Sequence, residues 1–320
     1  MSEQLCDVGR GITLCYEAFG DASDPTALLI MGLGTQMLAW QDDFCLELAG
    51  RGLHVVRFDN RDIGHSTHVQ GRPPTIPQLL LRNRRAASYT LADMAEDAAG
   101  LLRELELGRA HLIGASMGGM IAQTLAARHP RQVRSLVSIM SNSGRLRWGQ
   151  PTARIYPLFL RNVVRGRHAG AVERDAFIAS AERVFATIGS TGIPRDPNDI
   201  RRLAALSYDR DHDPHGTSRQ LAAVIASGDR TNELHHITVP TLVIHGTADP
   251  LVALSGGLAT ARAIPGAALM RIEGMGHDMP RAVWPRMIDA IAEHAARADG
   301  LPERHLSQQP QPTPTPGLLG

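Results

Sequence analysis

The chain has 320 residues, enough for one large α/β domain with an inserted segment, and its formal net charge is +1. A charge balance this close to neutral argues against a nucleic acid or an acidic macromolecule as the partner. All 33 basic residues are arginine, which excludes Schiff-base chemistry on lysine, a P-loop lysine and a serine–lysine catalytic pair.

The cysteines and the N-terminus indicate a cytoplasmic protein. Cys6, Cys15 and Cys45 do not make a disulfide framework, so we expect buried thiols in a reducing compartment. The first eleven residues lack the basic-then-apolar pattern of a secretory signal, and no apolar run reaches membrane length. We therefore expect no contact with a membrane.

The first half of the chain alternates short apolar runs with amphipathic stretches, which is typical of strands that alternate with helices. Strands are predicted at residues 12–19, 27–31 and 54–58. The second of these is apolar throughout, which indicates a strand buried on both faces. One helix is predicted to end near Gly50. Thr90 is predicted to cap another that continues to Leu107, with Asp93 as its capping-box partner.

Residues 110–129 predict a strand, a sharp turn and a helix, with the pattern Gly-x-Ser-x-Gly at residues 114–118. The serine at this corner is Ser116, and its backbone must be strained to lift the hydroxyl above the sheet. Glycines on either side let strand and helix approach closely, and the helix N-terminus favours a developing negative charge. A chance match is the alternative, but the position between strand and helix favours a nucleophile elbow.

The second half begins with a strand predicted at residues 133–140, and further strands are predicted at 241–245 and 268–272. A helix predicted at about 281–298 follows the last strand. We expect a mainly parallel sheet flanked by helices, formed by residues 1–141 and 231–300. The intervening residues 142–230 show helical periodicity without a sheet strand, which predicts a helical cap above the carboxyl ends of the strands. Residues 301–320 predict a Pro-rich flexible tail.

A serine nucleophile needs a histidine base, and the histidine needs a carboxylate to orient it. His277 follows the last predicted strand and Asp249 follows the strand before it, the chain order expected after such an elbow. The alternatives are an ordinary core or surface histidine and a turn aspartate before proline. Because residues 140–143 contain no carboxylate, we favour Ser116, Asp249 and His277 as the catalytic set.

An oxyanion hole needs two backbone N–H groups near the serine. Met117 supplies the first, because it follows the serine directly. Leu33, between two glycines after an early strand, is the candidate for the second. As a dinucleotide-binding motif this loop fails, since its third glycine is missing.

Five motifs together resemble the α/β-hydrolase superfamily of serine esterases. They are Met-Gly-Leu-Gly at 31–34, Asp-Asn-Arg-Asp-Ile-Gly-His-Ser at 59–66, Gly-Ala-Ser-Met-Gly-Gly at 114–119, His-Gly-Thr-Ala-Asp-Pro at 245–250 and Gly-Met-Gly-His at 274–277. The N-terminal segment and the last motif are most similar to aclacinomycin methylesterase-type hydrolases. The resemblance implies the α/β-hydrolase fold and the roles given above to the catalytic set, Leu33 and Met117.

The chain departs from the family pattern at two positions. Met31 stands where many relatives have histidine, which puts the support of the oxyanion hole in question. Asp62 stands where many relatives have glycine, so the turn around Arg61 is expected to be built differently. We expect Asp59 and Arg61 to pair and to hold that turn.

The combination predicts a serine hydrolase that cleaves small-molecule carboxylic esters through an acyl-enzyme, with no metal or organic cofactor. The same three residues also suit lactone hydrolysis, carbon–carbon bond hydrolysis or cofactor-free perhydrolysis. A dehalogenase or epoxide hydrolase is disfavoured, because such relatives carry aspartate where Ser116 stands. A ligand-binding receptor would not need the complete set. The sequence does not give the oligomeric state.

Aromatic side chains of the cap either line a substrate pocket or pack within the cap: Trp148, Tyr156, Phe159, Phe177 and Phe185. Acidic and histidine residues crowd positions 209–215, where a solvated loop is favoured over a metal site. Arginines at 145, 147, 154, 161, 165, 167 and 174 make the early cap basic. They indicate a solvated helix face, with attraction of an anionic substrate as the alternative.

Overall fold

The apolar runs pair into one sheet of eight strands in the order β1-β2-β4-β3-β5-β6-β7-β8. The computed structural model describes residues 2–70, 74–81, 83–155, 173–213 and 215–301. The strands are β1 (Gln4–Asp7), β2 (Thr13–Phe19), β3 (Thr26–Ile30), β4 (His54–Phe58), β5 (Ala110–Ala115), β6 (Val133–Ile139), β7 (Thr241–Gly246) and β8 (Ala268–Ile272). β2 is antiparallel to β1 and β4, and the other neighbouring strands are parallel. The predicted mainly parallel sheet is confirmed.

Helices cover both faces of this sheet. In the described residues the α-helices are α1 (Asp42–Ala49), α2 (Ile76–Leu80), α3 (Leu91–Glu104), α4 (Met117–Arg128), α5 (Arg174–Ile188), α6 (Pro197–Arg210), α7 (Gly216–Ser227), α8 (Thr231–Leu234), α9 (Leu254–Ala263) and α10 (Trp284–Ala298). Leu28 and Ile30 of β3 join an apolar cluster with α3 and α4, whereas Ala27 and Leu29 join another with α1 and α10. Alternate residues of one strand thus feed two cores, as its continuous apolar sequence predicts.

The local predictions agree with these elements apart from the first strand and the end of α3, which lies at Glu104 and not at the predicted Leu107. Thr90 caps α3 and forms the expected capping box with Asp93. The three cysteines are buried and unpaired, as predicted. β1 was not expected, because it is only four residues long and three of them are exposed. It pairs with β2 at the sheet edge, where an apolar pattern is not required.

Residues 142–230, called the cap segment below, contribute α5, α6 and α7, and their described part contains no sheet strand. The two ends of the segment meet, since the N–H of Arg230 donates to the carbonyl of Ser143 at 2.8 Å. The buried Arg230 guanidinium donates to the carbonyls of Met120 and Asn142, at 3.1 and 2.7 Å. It thereby ties this junction to α4.

Several predicted features lie outside the described residues, namely Tyr156, Phe159 and the tail beyond Leu301. Within the described ranges, no helix combines the length and apolar character that a membrane crossing needs.

Candidate active site

Ser116 occupies the sharp corner between β5 and α4. Its backbone has φ 56° and ψ −119°, a strained conformation for a residue other than glycine. A Cβ at Gly114 would lie 2.3 Å from the carbonyl oxygen of Gly118, and one at Gly118 would lie 2.0 Å from that of Ile30. Glycine is therefore required at both positions, because any side chain would separate the helix from the sheet.

His277 connects Ser116 to Asp249 by two hydrogen bonds. Its Nε2 lies 3.0 Å from the Ser116 hydroxyl, and its Nδ1 lies 2.7 Å from Asp249 Oδ2. The other carboxylate oxygen of Asp249 accepts the N–H groups of Leu251 and Val252, both at 2.9 Å. The Asp249 carboxylate is completely buried, so it presents one fixed oxygen to the imidazole. This geometry allows His277 to take a proton from Ser116 and to keep its orientation when charged.

The loop after β3 passes beside the serine. A Cβ at Gly32 would lie 3.1 Å from Ser116 Cβ, so glycine lets this backbone come close. Leu33 follows directly, and Met117 begins α4, where no acceptor exists within the helix for its N–H. Both N–H groups proposed for the oxyanion hole thus belong to backbone beside Ser116. Met31, the departure from the family pattern, is buried among apolar side chains.

The loop that carries His277 is fastened to the cap segment. The N–H of His277 donates to the carbonyl of Ile188 at 2.8 Å, and the N–H of Gly276 donates to the Ser190 hydroxyl at 2.9 Å. The backbone N–H of Ser190 in turn donates to the carboxylate of Asp278 at 2.9 Å. Sequence analysis did not identify Ser190 or Asp278, since neither belongs to a motif.

The expected Asp59–Arg61 pair is wrong. Asp59 is paired with Arg210 at 2.6 Å, at the end of α6 in the cap segment. Arg61 is paired instead with Asp97 in α3. The two side chains of the turn face different helices. Each buried charge is therefore paired with the opposite charge on the helix that it faces.

Asp62, the second departure from the family pattern, joins this turn to other elements. Its φ is 70°, and its carboxylate is fully buried. It accepts two hydrogen bonds from Arg219 of α7, at 2.9 and 2.7 Å, and one from the Tyr89 hydroxyl. An acidic group in place of glycine therefore binds the core turn to the cap segment.

The polar cluster at 209–215 is distributed among separate partners. Asp209 pairs with Arg174, and Asp213 pairs with Arg219 and His68. Two described groups have donor atoms close enough for a metal ion: Glu3, Cys15 and His65; and Asp62, His68 and Asp213. An arginine already pairs with a carboxylate in each group, Arg210 with Glu3 and Arg219 with Asp62, which disfavours a cation there.

A cavity of about 320 Å³ lies between α5 and α6 and the loops that carry Gly34 and Ile63. Phe177 and Phe185 line it, together with residues next to Leu33 and His277. Ser116, His277 and Leu33 do not themselves line this cavity. Trp148 lies elsewhere, with the Arg147 guanidinium 5.2 Å from its ring centroid.

Comparisons with known proteins agree with the fold. A sequence model of the alpha/beta hydrolase fold matches residues 25–280. The chain is 27% identical over 302 residues to rhodomycin D methylesterase DauP of Streptomyces sp. strain C5, covering 90% of this chain and 96% of the relative. It is 24% identical over 250 residues to 3-oxoadipate enol-lactonase 2 of Acinetobacter baylyi, covering 78% and 80%. The solved enol-lactonase from Burkholderia xenovorans shares the fold, with a TM-score of 0.69, 23% identity and coverage of 93% of this chain and 100% of that one.

Proposed function

Since this chain belongs to the α/β-hydrolase fold family, we propose that it hydrolyses carboxylic esters of small molecules through an acyl-enzyme on Ser116. The observation that carries the proposal is the hydrogen-bonded series from Ser116 through His277 to Asp249. A serine beside an imidazole whose far nitrogen is held by a buried carboxylate has the arrangement required for acyl transfer.

The reaction follows from the position of each group. His277 Nε2 takes the Ser116 hydroxyl proton while the serine oxygen attacks the ester carbonyl carbon. Asp249 stabilises the imidazolium, and the N–H groups of Leu33 and Met117 stabilise the oxyanion. The tetrahedral intermediate collapses as His277 passes its proton to the departing alcohol. Water, activated by the same imidazole, then hydrolyses the acyl-enzyme.

Ester hydrolysis is favoured over lactone hydrolysis by the relatives. The methylesterase aligns over 90% of this chain, compared with 78% for the enol-lactonase. Because both reactions use the same acyl-transfer groups, lactone hydrolysis is the second candidate. Methyl esters and a lactone therefore both belong in the substrate panel.

We further propose that the cap segment covers a core formed by residues 1–141 and 231–300. The support is the cavity that lies between α5 and α6 on one side and the core loops that carry Gly34 and Ile63 on the other. A cytoplasmic location is also proposed, and the three buried unpaired cysteines support it.

The test is a panel of para-nitrophenyl esters, methyl esters and one lactone, assayed with the intact chain and with Ser116→Ala. We expect para-nitrophenyl acetate hydrolysis at least about a thousandfold faster than with Ser116→Ala. A fluorophosphonate probe should label the intact chain at Ser116 and leave the variant unlabelled. Equal rates for the two proteins across the panel would overturn the proposal, and turnover of the lactone alone would favour the second candidate.

A further inference from the structure

One face of α7 contacts two core loops, the one that carries Gly34 and the turn that carries Asp62. A Cβ at Gly216 would lie 1.9 Å from the carbonyl oxygen of Asp62, so helix and turn are in close contact. One residue further, the Thr217 side chain lies 2.8 Å from where a Cβ of Gly34 would be. Arg219 adds the ion pair with Asp62. The cap segment therefore contacts the loop that carries the proposed oxyanion donor.

Gln220 lies on this same face and is completely buried. Its side-chain oxygen accepts the N–H of Gly34 at 2.8 Å, and its side-chain nitrogen donates to the carbonyl of Arg61 at 2.9 Å. Both ends of the amide are thus used, one on each core loop. A buried amide with both ends paired holds a single orientation, because any rotation leaves a polar group unpaired.

The peptide that carries the Leu33 N–H is fixed through its two neighbours. The following peptide is held at both ends, since Gly34 donates to Gln220 and the Leu33 carbonyl accepts the Thr35 hydroxyl at 3.1 Å. The preceding peptide is held through the Met31 carbonyl, which accepts the Asn60 side-chain amide at 2.9 Å. Glycine is the most permissive residue, so a loop with glycine on either side of Leu33 needs such anchors to keep one conformation.

We propose that Gln220, from the cap segment, is a positioning residue that holds the Leu33 N–H in place for the oxyanion formed at Ser116. This inference rests on the proposed esterase function. It also answers the question raised by Met31, whose side chain forms no hydrogen bond where many relatives carry histidine: the loop is supported from Asn60 and Gln220. The cap segment thereby contributes to the chemical step as well as covering the site.

The test compares wild type with Gln220→Met, which preserves length and removes both hydrogen bonds. Because one misplaced donor weakens transition-state binding, kcat/KM for para-nitrophenyl acetate should fall about tenfold through kcat, with KM changed less than twofold. The inhibition constant of a trifluoromethyl ketone, which forms a tetrahedral oxyanion adduct, should rise by the same factor. The pH profile of kcat/KM should keep the shape of the wild-type profile.

Three further variants make the result specific. Gln220→Glu keeps an acceptor for Gly34 and should recover most of the lost ketone affinity. Ser227→Ala is the matched control, because Ser227 lies on the same helix and accepts the N–H of Leu91 at 2.9 Å, far from the loop. Both kcat/KM and the ketone inhibition constant of Ser227→Ala should match those of wild type. If Gln220→Met does not fold, Gln220→Ser replaces it under the same criteria, since serine is too short to reach either partner.

A purely structural role would lower the fraction of active sites titrated by the fluorophosphonate and leave the ketone constant unchanged. That outcome overturns the positioning role, as does wild-type kinetics in the folded Gln220 variant. The failure of the proposed function is distinguishable, because wild type itself would then show neither ester turnover nor labelling of Ser116.

Discussion

Ser116 combines backbone strain with partners that prevent its relief. A conformation such as φ 56°, ψ −119° costs a non-glycine residue about 1–3 kcal/mol and persists only where the surroundings fix it. The N–H of Ser116 donates to the carbonyl of Ile139 at 2.9 Å, and its carbonyl accepts the Ser141 hydroxyl at 2.8 Å. The strand next to the elbow therefore holds both sides of the strained residue and keeps its hydroxyl beside His277.

The prediction at the residue scale concerns the three residues as one unit. Ser116→Ala and His277→Ala should each lower kcat by about ten-thousandfold, because either change removes the activated nucleophile. The double variant should lose little more. Asp249→Asn should also lower kcat severely, but by a smaller factor than the other two single variants. Steady-state kinetics with para-nitrophenyl acetate checks this, and losses that multiply in the double variant would show that Ser116 and His277 do not share a step.

At the scale of elements, the sequence was informative wherever the signal was local. Apolar runs located seven of the eight strands, and the glycine spacing located the elbow, because period and turn chemistry are properties of neighbouring residues. The positions of Asp249 and His277 after two successive strands were also predictable, since the fold fixes where strands end. Only the structure, however, could show that their side chains lie within hydrogen-bonding distance of each other.

Contacts across the cap could not be predicted in this way. Gln220 and Gly34 are 186 residues apart, and Arg219 and Asp62 are 157 apart. A sequence pattern shows that a residue is polar but not which distant group it faces. The only available signal was the adjacent polar pair at 219 and 220 within the helical cap, which is also typical of a solvated face. For the same reason Asp59 and Arg61, close in sequence, were wrongly paired.

The prediction at the element scale concerns the cavity between α5 and α6. Phe177→Ala and Phe185→Ala should widen it and shift preference toward longer ester chains, since both rings line it. Acylation by a small acetate ester should change less than threefold, because the catalytic set is untouched. The measurement is a chain-length profile for each variant. Trp148→Ala is the matched control, and profiles identical to wild type for both phenylalanine variants would place the substrate elsewhere.

At the scale of the whole molecule, the two ends of the sheet carry similar polar residues in different surroundings. The carboxyl end carries the proposed active site. At the opposite end, His111 lies 2.9 Å from the Ser135 hydroxyl through Nδ1 and 3.3 Å from Asp299 through Nε2. This second serine, histidine and aspartate set includes a serine with no exposed surface. The set therefore ties the end of α10 to the sheet. It contains the same residue types as the Ser116 set but differs from it because no substrate can reach its serine.

The buried imidazole of His111, at the end of the sheet opposite the proposed active site, makes the free energy of unfolding sensitive to acid. Burial, partly offset by Asp299, lowers the pKa of His111 to about 4 from an ordinary 6.5. Between these values the unfolded chain binds the proton more readily, so stability falls as the pH falls from 6.5 toward 4 and is unaffected above 6.5. From pH 7 to pH 5 this one group should cost about 2 kcal/mol of unfolding free energy.

The variant His111→Asn removes the titrating group, so its loss of unfolding free energy from pH 7 to pH 5 should be smaller than that of wild type by about 2 kcal/mol. Urea denaturation at the two pH values measures both losses. Burial also lowers the pKa values of His245 and His294, but these groups are present in both proteins and cancel in the difference. His235→Asn, at an exposed position, should behave as wild type. If the His111 variant lost as much stability as wild type, protonation of His111 would not govern the acid response.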